Sequence, residues 1–207
     1  MCQSMFKLFA VIGLIAISPG NAWAKPPTLL ALGDSLTAGY GLEPTEAMPV
    51  KLQSALQAEY PELKIINAGV SGDTAADGLS RVDWALTDDV TAVLVELGAN
   101  DALRGLDVAQ TEAALDAILA KVKARDLPIL LLGMKAPPNL GAQYQSQFEA
   151  IFPRLAAKYN ALLYPFYLDG VAADRNLNQP DGIHPNAKGV DVIVVRLAPK
   201  VKELLAK

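Results

Sequence analysis

From Thr28 onward, short apolar runs of strand length alternate with longer segments whose apolar residues recur at helical spacing. That alternation is the pattern of an α/β protein built on a largely parallel sheet. The predicted strands are 28–32 (Thr-Leu-Leu-Ala-Leu), 63–67, 91–97 (Thr-Ala-Val-Leu-Val-Glu-Leu), 128–133 and a weaker 161–164. Several are apolar nearly throughout, as strands covered on both faces must be. Helices are predicted over 47–59, 74–86, 108–125 and 143–159, where Ala114, Leu115, Ile118, Leu119 and Val122 illustrate the spacing. A last helix over about 187–205 closes the chain. No internal repeat or low-complexity stretch interrupts the series.

The segment ahead of this pattern has a different logic. Lys7, the apolar run from Leu8 to Ile17 and the small-x-small triplet Ala22-Trp23-Ala24 read as an export signal over 1–24, with cleavage before Lys25. The run is too short to span a bilayer and is followed by Pro19 and Gly20, so stable membrane insertion is not expected. The protein is therefore expected in the periplasm or outside the cell, as a single domain over 25–207. The only cysteine, Cys2, lies in the leader, which leaves the mature chain without a disulfide, a thiol nucleophile or a zinc set. Of the 18 Lys+Arg, one is in the leader, so against 22 Asp+Glu the mature chain carries about −5. With no basic cluster, nucleic acid is not an expected partner.

In open α/β sheets, ligands bind beyond the carboxyl ends of the strands. Those ends carry Gly33-Asp34-Ser35-Leu36-Thr37, Gly69-Val70-Ser71-Gly72-Asp73, Gly98-Ala99-Asn100-Asp101 and the loop from Lys135 to Tyr144. The segment after the fifth strand reaches Asp181-Gly182-Ile183-His184-Pro185. His184 is the single histidine of the chain, so a general base working near neutral pH is His184 or a strongly shifted carboxylate. Asp181, three residues earlier, is spaced to accept the Nδ1 hydrogen and leave Nε2 facing outward.

Ser35 directly follows the first strand, where its hydroxyl can stand at the mouth of a cleft or merely cap a helix. The lipase-type G-x-S-x-G elbow is absent, because Thr37 stands where its second glycine belongs. Ser71 is a second candidate serine in a similarly incomplete motif. A tetrahedral intermediate also needs donors for its oxyanion, and the Gly72 N–H and the Asn100 amide are available residue types. Each has an ordinary alternative as a turn or helix-cap residue.

Gly33-Asp34-Ser35-Leu36, Gly72 within Ala68 to Thr74, Gly98-Ala99-Asn100-Asp101 and Asp181-Gly182-Ile183-His184-Pro185 resemble, in order and spacing, the sequence blocks of the SGNH (GDSL) hydrolases, over about Thr28 to the C-terminus. Within that family the chain is similar to the TesA-type arylesterases, acyl-CoA thioesterases and lysophospholipases. The resemblance implies a flavodoxin-like three-layer α/β/α fold with a mostly parallel five-stranded sheet. It implies Ser35 as nucleophile, His184 as base and Asp181 as its orienter, with the Ser35 N–H, the Gly72 N–H and the Asn100 side chain as oxyanion donors. It calls for no cofactor or metal, and for small esters, thioesters or lysophospholipids as substrates of a monomer. Thr37 and Leu140 depart from the family's usual small and aromatic residues, and both read as pocket-wall positions that bear on acyl preference. A carbohydrate O-deacetylase or phospholipase on the same fold is the alternative reading, and a non-catalytic periplasmic binder is a remoter one.

Overall fold

A computed structural model describes residues 25–207; the leader expected over 1–24 lies outside the described residues. Five strands, β1 (Thr28–Gly33), β2 (Lys64–Gly69), β3 (Ala92–Glu96), β4 (Ile129–Leu132) and β5 (Leu162–Tyr164), pair in the order β2-β1-β3-β4-β5, and every pairing is parallel. The three inner strands are buried at every position, and the two edge strands only in part. Their compositions follow suit: β3 and β4 are almost wholly aliphatic, whereas β2 opens with the exposed Lys64 and carries the exposed Asn67.

Helices cover both faces of the sheet. On one side α2 (Met48–Leu56) packs on β2 and on the long α8 (Ala187–Leu205), which also covers β4 and β5. On the other side α3 (Ala75–Ala85), α5 (Val108–Lys123) and α7 (Ile151–Tyr159) form the third layer. The face of α5 anticipated from its spacing, Ala114, Leu115, Ile118, Leu119 and Val122, is the face it buries. Caps fix where these helices start: Thr74 and Asp77 form a capping box on α3, and the Asp107 and Asn186 side chains accept the first free N–H groups of α5 and α8.

Three local expectations are corrected. The helix predicted over 143–159 is two, α6 (Ala142–Glu149) and α7, meeting at Ala150. Pro153 accounts for the break, since it has no N–H to offer the Glu149 carbonyl and its ring crowds that oxygen. Two short helices join the predicted series: α1 (Ser35–Ala38), which begins at Ser35 itself and not after it, and α4 (Ala99–Leu103), whose five residues carry no readable period. Asn100 consequently lies in the first turn of a helix and not at a bare strand end.

The short α1 sits hard against β2. A Cβ on Gly69 would lie 2.3 Å from the Ala38 nitrogen and 2.8 Å from the Asp34 carbonyl oxygen, both main-chain atoms that cannot swing aside. Gly69→Ala is therefore expected to destabilise the fold by about 1–3 kcal/mol, as overpacking does. Urea unfolding checks this: the midpoint should fall at constant m, and a wild-type midpoint would mean that α1 is free to lift from the sheet.

Candidate active site

The chain leaves β1 toward β2 on one side and, after returning, adds β3 on the other, so the loops beyond β1 and β3 part and open a crevice at this switch point. Gly33, the last residue of β1, is in register with both Gly69 and Glu96. The chain then turns sharply into α1. Asp34 is the N-cap, its Oδ1 accepting the Leu36 N–H at 3.0 Å, so that Ser35 is the first helical residue and not the cap. The turn holds Ser35 at the floor of the crevice, 8% exposed.

The loop before α8 reaches the same place from the far end of the chain. Asn178 and Pro185 form an isolated bridge, and between them Gly182, at φ +76°, allows the reversal. Asp181 organises the turn: Oδ1 accepts the N–H groups of Ile183 at 3.0 Å and His184 at 3.1 Å, and Oδ2 lies 2.7 Å from His184 Nδ1. Burial pushes the Asp181 carboxyl up, but these bonds outweigh it and hold the group below its usual range. Because a carboxylate can only accept, Nδ1 carries the hydrogen, and Nε2 presents a lone pair to the Ser35 hydroxyl 2.9 Å away. Gln179 ties the loop down, donating from its backbone to the His184 carbonyl and from Nε2 to the carbonyls of Tyr40 and Pro185. The Tyr40 ring lies over the imidazole with centroids 4.7 Å apart.

Gly72 stands at φ +90° in the loop after β2, and Arg104 holds its carbonyl at 2.8 Å. Arg81 clamps the base of that loop, donating to Asp73 Oδ2, to the Ala68 carbonyl and, across to β1, to the Gly33 carbonyl. Neither the Ser35 nor the Gly72 N–H has a protein acceptor among the described residues. The Asn100 amide donates to Asp34 Oδ2 at 3.1 Å and to the Asp73 carbonyl at 3.0 Å, which occupies both of its hydrogens. Ser71 is exposed and makes no bond to His184. Of the five residues expected at the site, Ser35, Asn100 and His184 line one crevice, Asp181 stands behind His184, and Gly72 lies in the loop after β2, next to the Asp73 carbonyl that Asn100 holds.

Beside them opens a cleft of about 360 Å³, lined largely by apolar side chains that include Leu36, Leu103, Met134, Pro137, Phe166 and Ile183. Thr37 and Leu140 are not in its wall. Thr37 is fully buried beneath Ser35 with its hydroxyl on Glu96, and Leu140 leans toward Gly105. The reason is the helical turn at α1, which rotates position 37 inward, away from the crevice.

Residues 31–192 match the family model described as GDSL-like Lipase/Acylhydrolase family. The chain belongs to that family. Among relatives of this acylhydrolase, the esterase TesA of Pseudomonas aeruginosa is 36% identical over 93% of this chain and 96% of its own. The thioesterase 1/protease 1/lysophospholipase L1 of Escherichia coli K12 is 39% identical over 88% of this chain and 86% of its own. A solved structure of the esterase EstA from Pseudoalteromonas sp., inhibited by monoethylphosphonate, superposes with a TM-score of 0.82 at 36% identity, covering 87% of this chain and 99% of that one. The protein is a hydrolase acting on ester bonds, with the three-layer α/β/α fold of the SGNH enzymes.

Several residues of the acylhydrolase site were not singled out from sequence. Arg81, Gln179 and Tyr40 act through contacts between distant loops, which no local spacing reveals. Glu96 did leave a signal, as the one charged residue in the apolar run 91–97. It is 1% exposed, and its Oε2 accepts from the Thr37 hydroxyl at 2.9 Å and from the Asp34 N–H at 3.3 Å. Asp34 is also without exposure, and burial pushes its carboxyl up to about 6 despite the bonds from Leu36, Glu96 and Asn100 and the proximity of His184.

A raised carboxyl binds its proton more tightly in the folded chain than in the unfolded one, so its contribution to stability is present at low pH and is lost as pH rises through the interval between the two values. Relative to Asp34→Asn, the wild-type protein is expected to lose up to about 3 kcal/mol between pH 4 and pH 6. Urea midpoints of both proteins across that range test this, and parallel curves would show that Asp34 titrates normally.

Proposed function

We propose that the chain is an exported serine esterase and thioesterase in which Ser35 attacks the substrate carbonyl, His184 takes the Ser35 proton and Asp181 orients the imidazole. The observation that carries this reading is the relay itself: Nε2 of the single histidine 2.9 Å from Ser35 Oγ, and its Nδ1 2.7 Å from Asp181 Oδ2. In the first step Ser35 Oγ adds to the carbonyl carbon and the proton passes to Nε2. Collapse of the adduct expels the alcohol or thiol, which leaves with that proton. Water then repeats the sequence on the acyl-serine and frees the acid.

The oxyanion is held by the Ser35 N–H, the Gly72 N–H and the Asn100 amide. Two of these donors meet no protein acceptor, and for the third the oxyanion displaces the Asp73 carbonyl, since a full negative charge accepts a hydrogen bond more strongly than a neutral carbonyl does. The apolar cleft suits a small acyl or aryl group, which favours aryl and acyl esters, acyl thioesters and lysophospholipids as substrates. Relatives carrying the words esterase, thioesterase and lysophospholipase in their names fit the same range. The leader over 1–24 would deliver the protein to the periplasm or the medium.

A fluorophosphonate probe should label the active protein at Ser35 alone, and mass-spectrometric location of the adduct on Ser71 would overturn the assignment. Asp181→Asn should cost about 10⁴ in kcat, because an amide cannot hold the required tautomer. Asn100→Ala should lower kcat by about 10²–10³ and leave KM almost unchanged, a split that a purely structural asparagine would not give. For export, N-terminal sequencing of protein recovered from expressing cells should begin at Lys25; an intact Met1 on cytoplasmic protein would refute it.

A further inference from the structure

Glu96 takes no part in acyl transfer, yet it is an acid enclosed in the core directly behind the site. A Cβ on Gly33 would lie 2.8 Å from Glu96 Oε2 and 2.1 Å from Thr37 Oγ1, so the hydroxyl and the carboxyl are packed directly against the last residue of β1. The Asp34 N–H donates to the same carboxyl at 3.3 Å, and the Asp34 charge acts on it. Burial and the neighbouring negative charge both disfavour ionising the two carboxyls together, so a proton held by one of them relieves the repulsion.

The bonding pattern says which oxygen carries it. Asp34 Oδ1 faces the Leu36 N–H and Oδ2 faces the Asn100 amide. Glu96 Oε2 faces two donors, the Asp34 N–H and the Thr37 hydroxyl. Glu96 Oε1 is buried and faces none. A hydrogen on any of the first three oxygens would oppose an existing donor, whereas on Oε1 it opposes none. Burial together with the Asp34 charge raises the Glu96 carboxyl well above its ordinary range, in the same direction.

We propose that Glu96 is a positioning residue of this esterase, a buried protonated acid that fixes the ionised Asp34 carboxylate and, through it, the Asn100 amide and the turn bearing Ser35. The proposal rests on the reading of Asn100 as an oxyanion donor. Glu96 never meets substrate. Its neutral carboxyl lets Asp34 remain an acceptor-only anion, which keeps one Asn100 hydrogen anchored while the other is free to exchange onto the oxyanion.

The test compares wild type, Glu96→Gln and Glu96→Leu as whole purified proteins hydrolysing p-nitrophenyl butyrate, with kcat expressed per serine titrated by fluorophosphonate. Leucine removes both the donor and the acceptor, and should lower kcat about 10- to 100-fold, as loss of a supporting bond behind a site typically does, with KM within about twofold. Glutamine is uncharged, nearly the same shape and able both to donate and to accept, so it should restore most of that loss. Infrared difference spectra of wild type minus Glu96→Gln at pH 7 should show the C=O stretch of a protonated carboxylic acid. Carboxylate bands alone, a folded Glu96→Leu with wild-type kcat per site, or a glutamine variant as impaired as the leucine one would each overturn the proposal. Should Glu96→Leu fail to fold, the infrared spectrum and the glutamine kinetics still decide. Failure of the esterase reading itself would show as wild-type protein without ester turnover or titratable serine, and the infrared result would stand apart from it.

Discussion

Asp34 has no contact with solvent, and its backbone and side chain are divided among three separate elements. One oxygen caps α1 through the Leu36 N–H, the other holds the Asn100 amide of α4, and the Asp34 N–H reaches Glu96 at the end of β3. A buried carboxylate without partners would be too costly to keep, so each of these bonds is required by the others. The local geometry of the candidate site is in this sense a solution to the problem of enclosing one acid. Ser35 stands where it does because its neighbour must face inward.

The sheet order makes that solution available. Parallel pairing of β1 with both β2 and β3 brings Gly33, Gly69 and Glu96 side by side at one edge, and the loops that follow diverge around the space between them. Arg81 then spans the two strand ends, joining the carbonyls of Gly33 and Ala68 to the Asp73 carboxylate with a single planar fork. The loop that carries Gly72 is thereby tied to the strand that carries the candidate nucleophile. Helix α8 and the loop before it close the arrangement from the other end.

Much of this was legible in the sequence because it is periodic or because it is rare. The strands could be read since inner parallel strands must be apolar on both faces, and α5 since its buried stripe repeats every turn. Ser35, Asp181 and His184 stood out because one histidine leaves little choice of base. What escaped was either too short or too distant. Helix α4 has fewer residues than a period needs, and the inward face of Thr37 follows from α1 beginning at Ser35 itself. Gln179 and Arg81 work across loops whose proximity exists only after folding. Pro153 was the one plain local signal that the long helix ending at Tyr159 is broken.

The hydroxyl of Ser35 and the imidazole of His184 are separated by 149 positions in the chain. Almost the whole sheet must be laid down before they can meet, and the histidine-bearing loop is secured only when α8 docks against α2 and the far strands. Such a contact is among the last that loop-closure entropy allows. A chain that ends before α8 therefore holds both Ser35 and His184 with no docked helix to keep the histidine-bearing loop beside the serine.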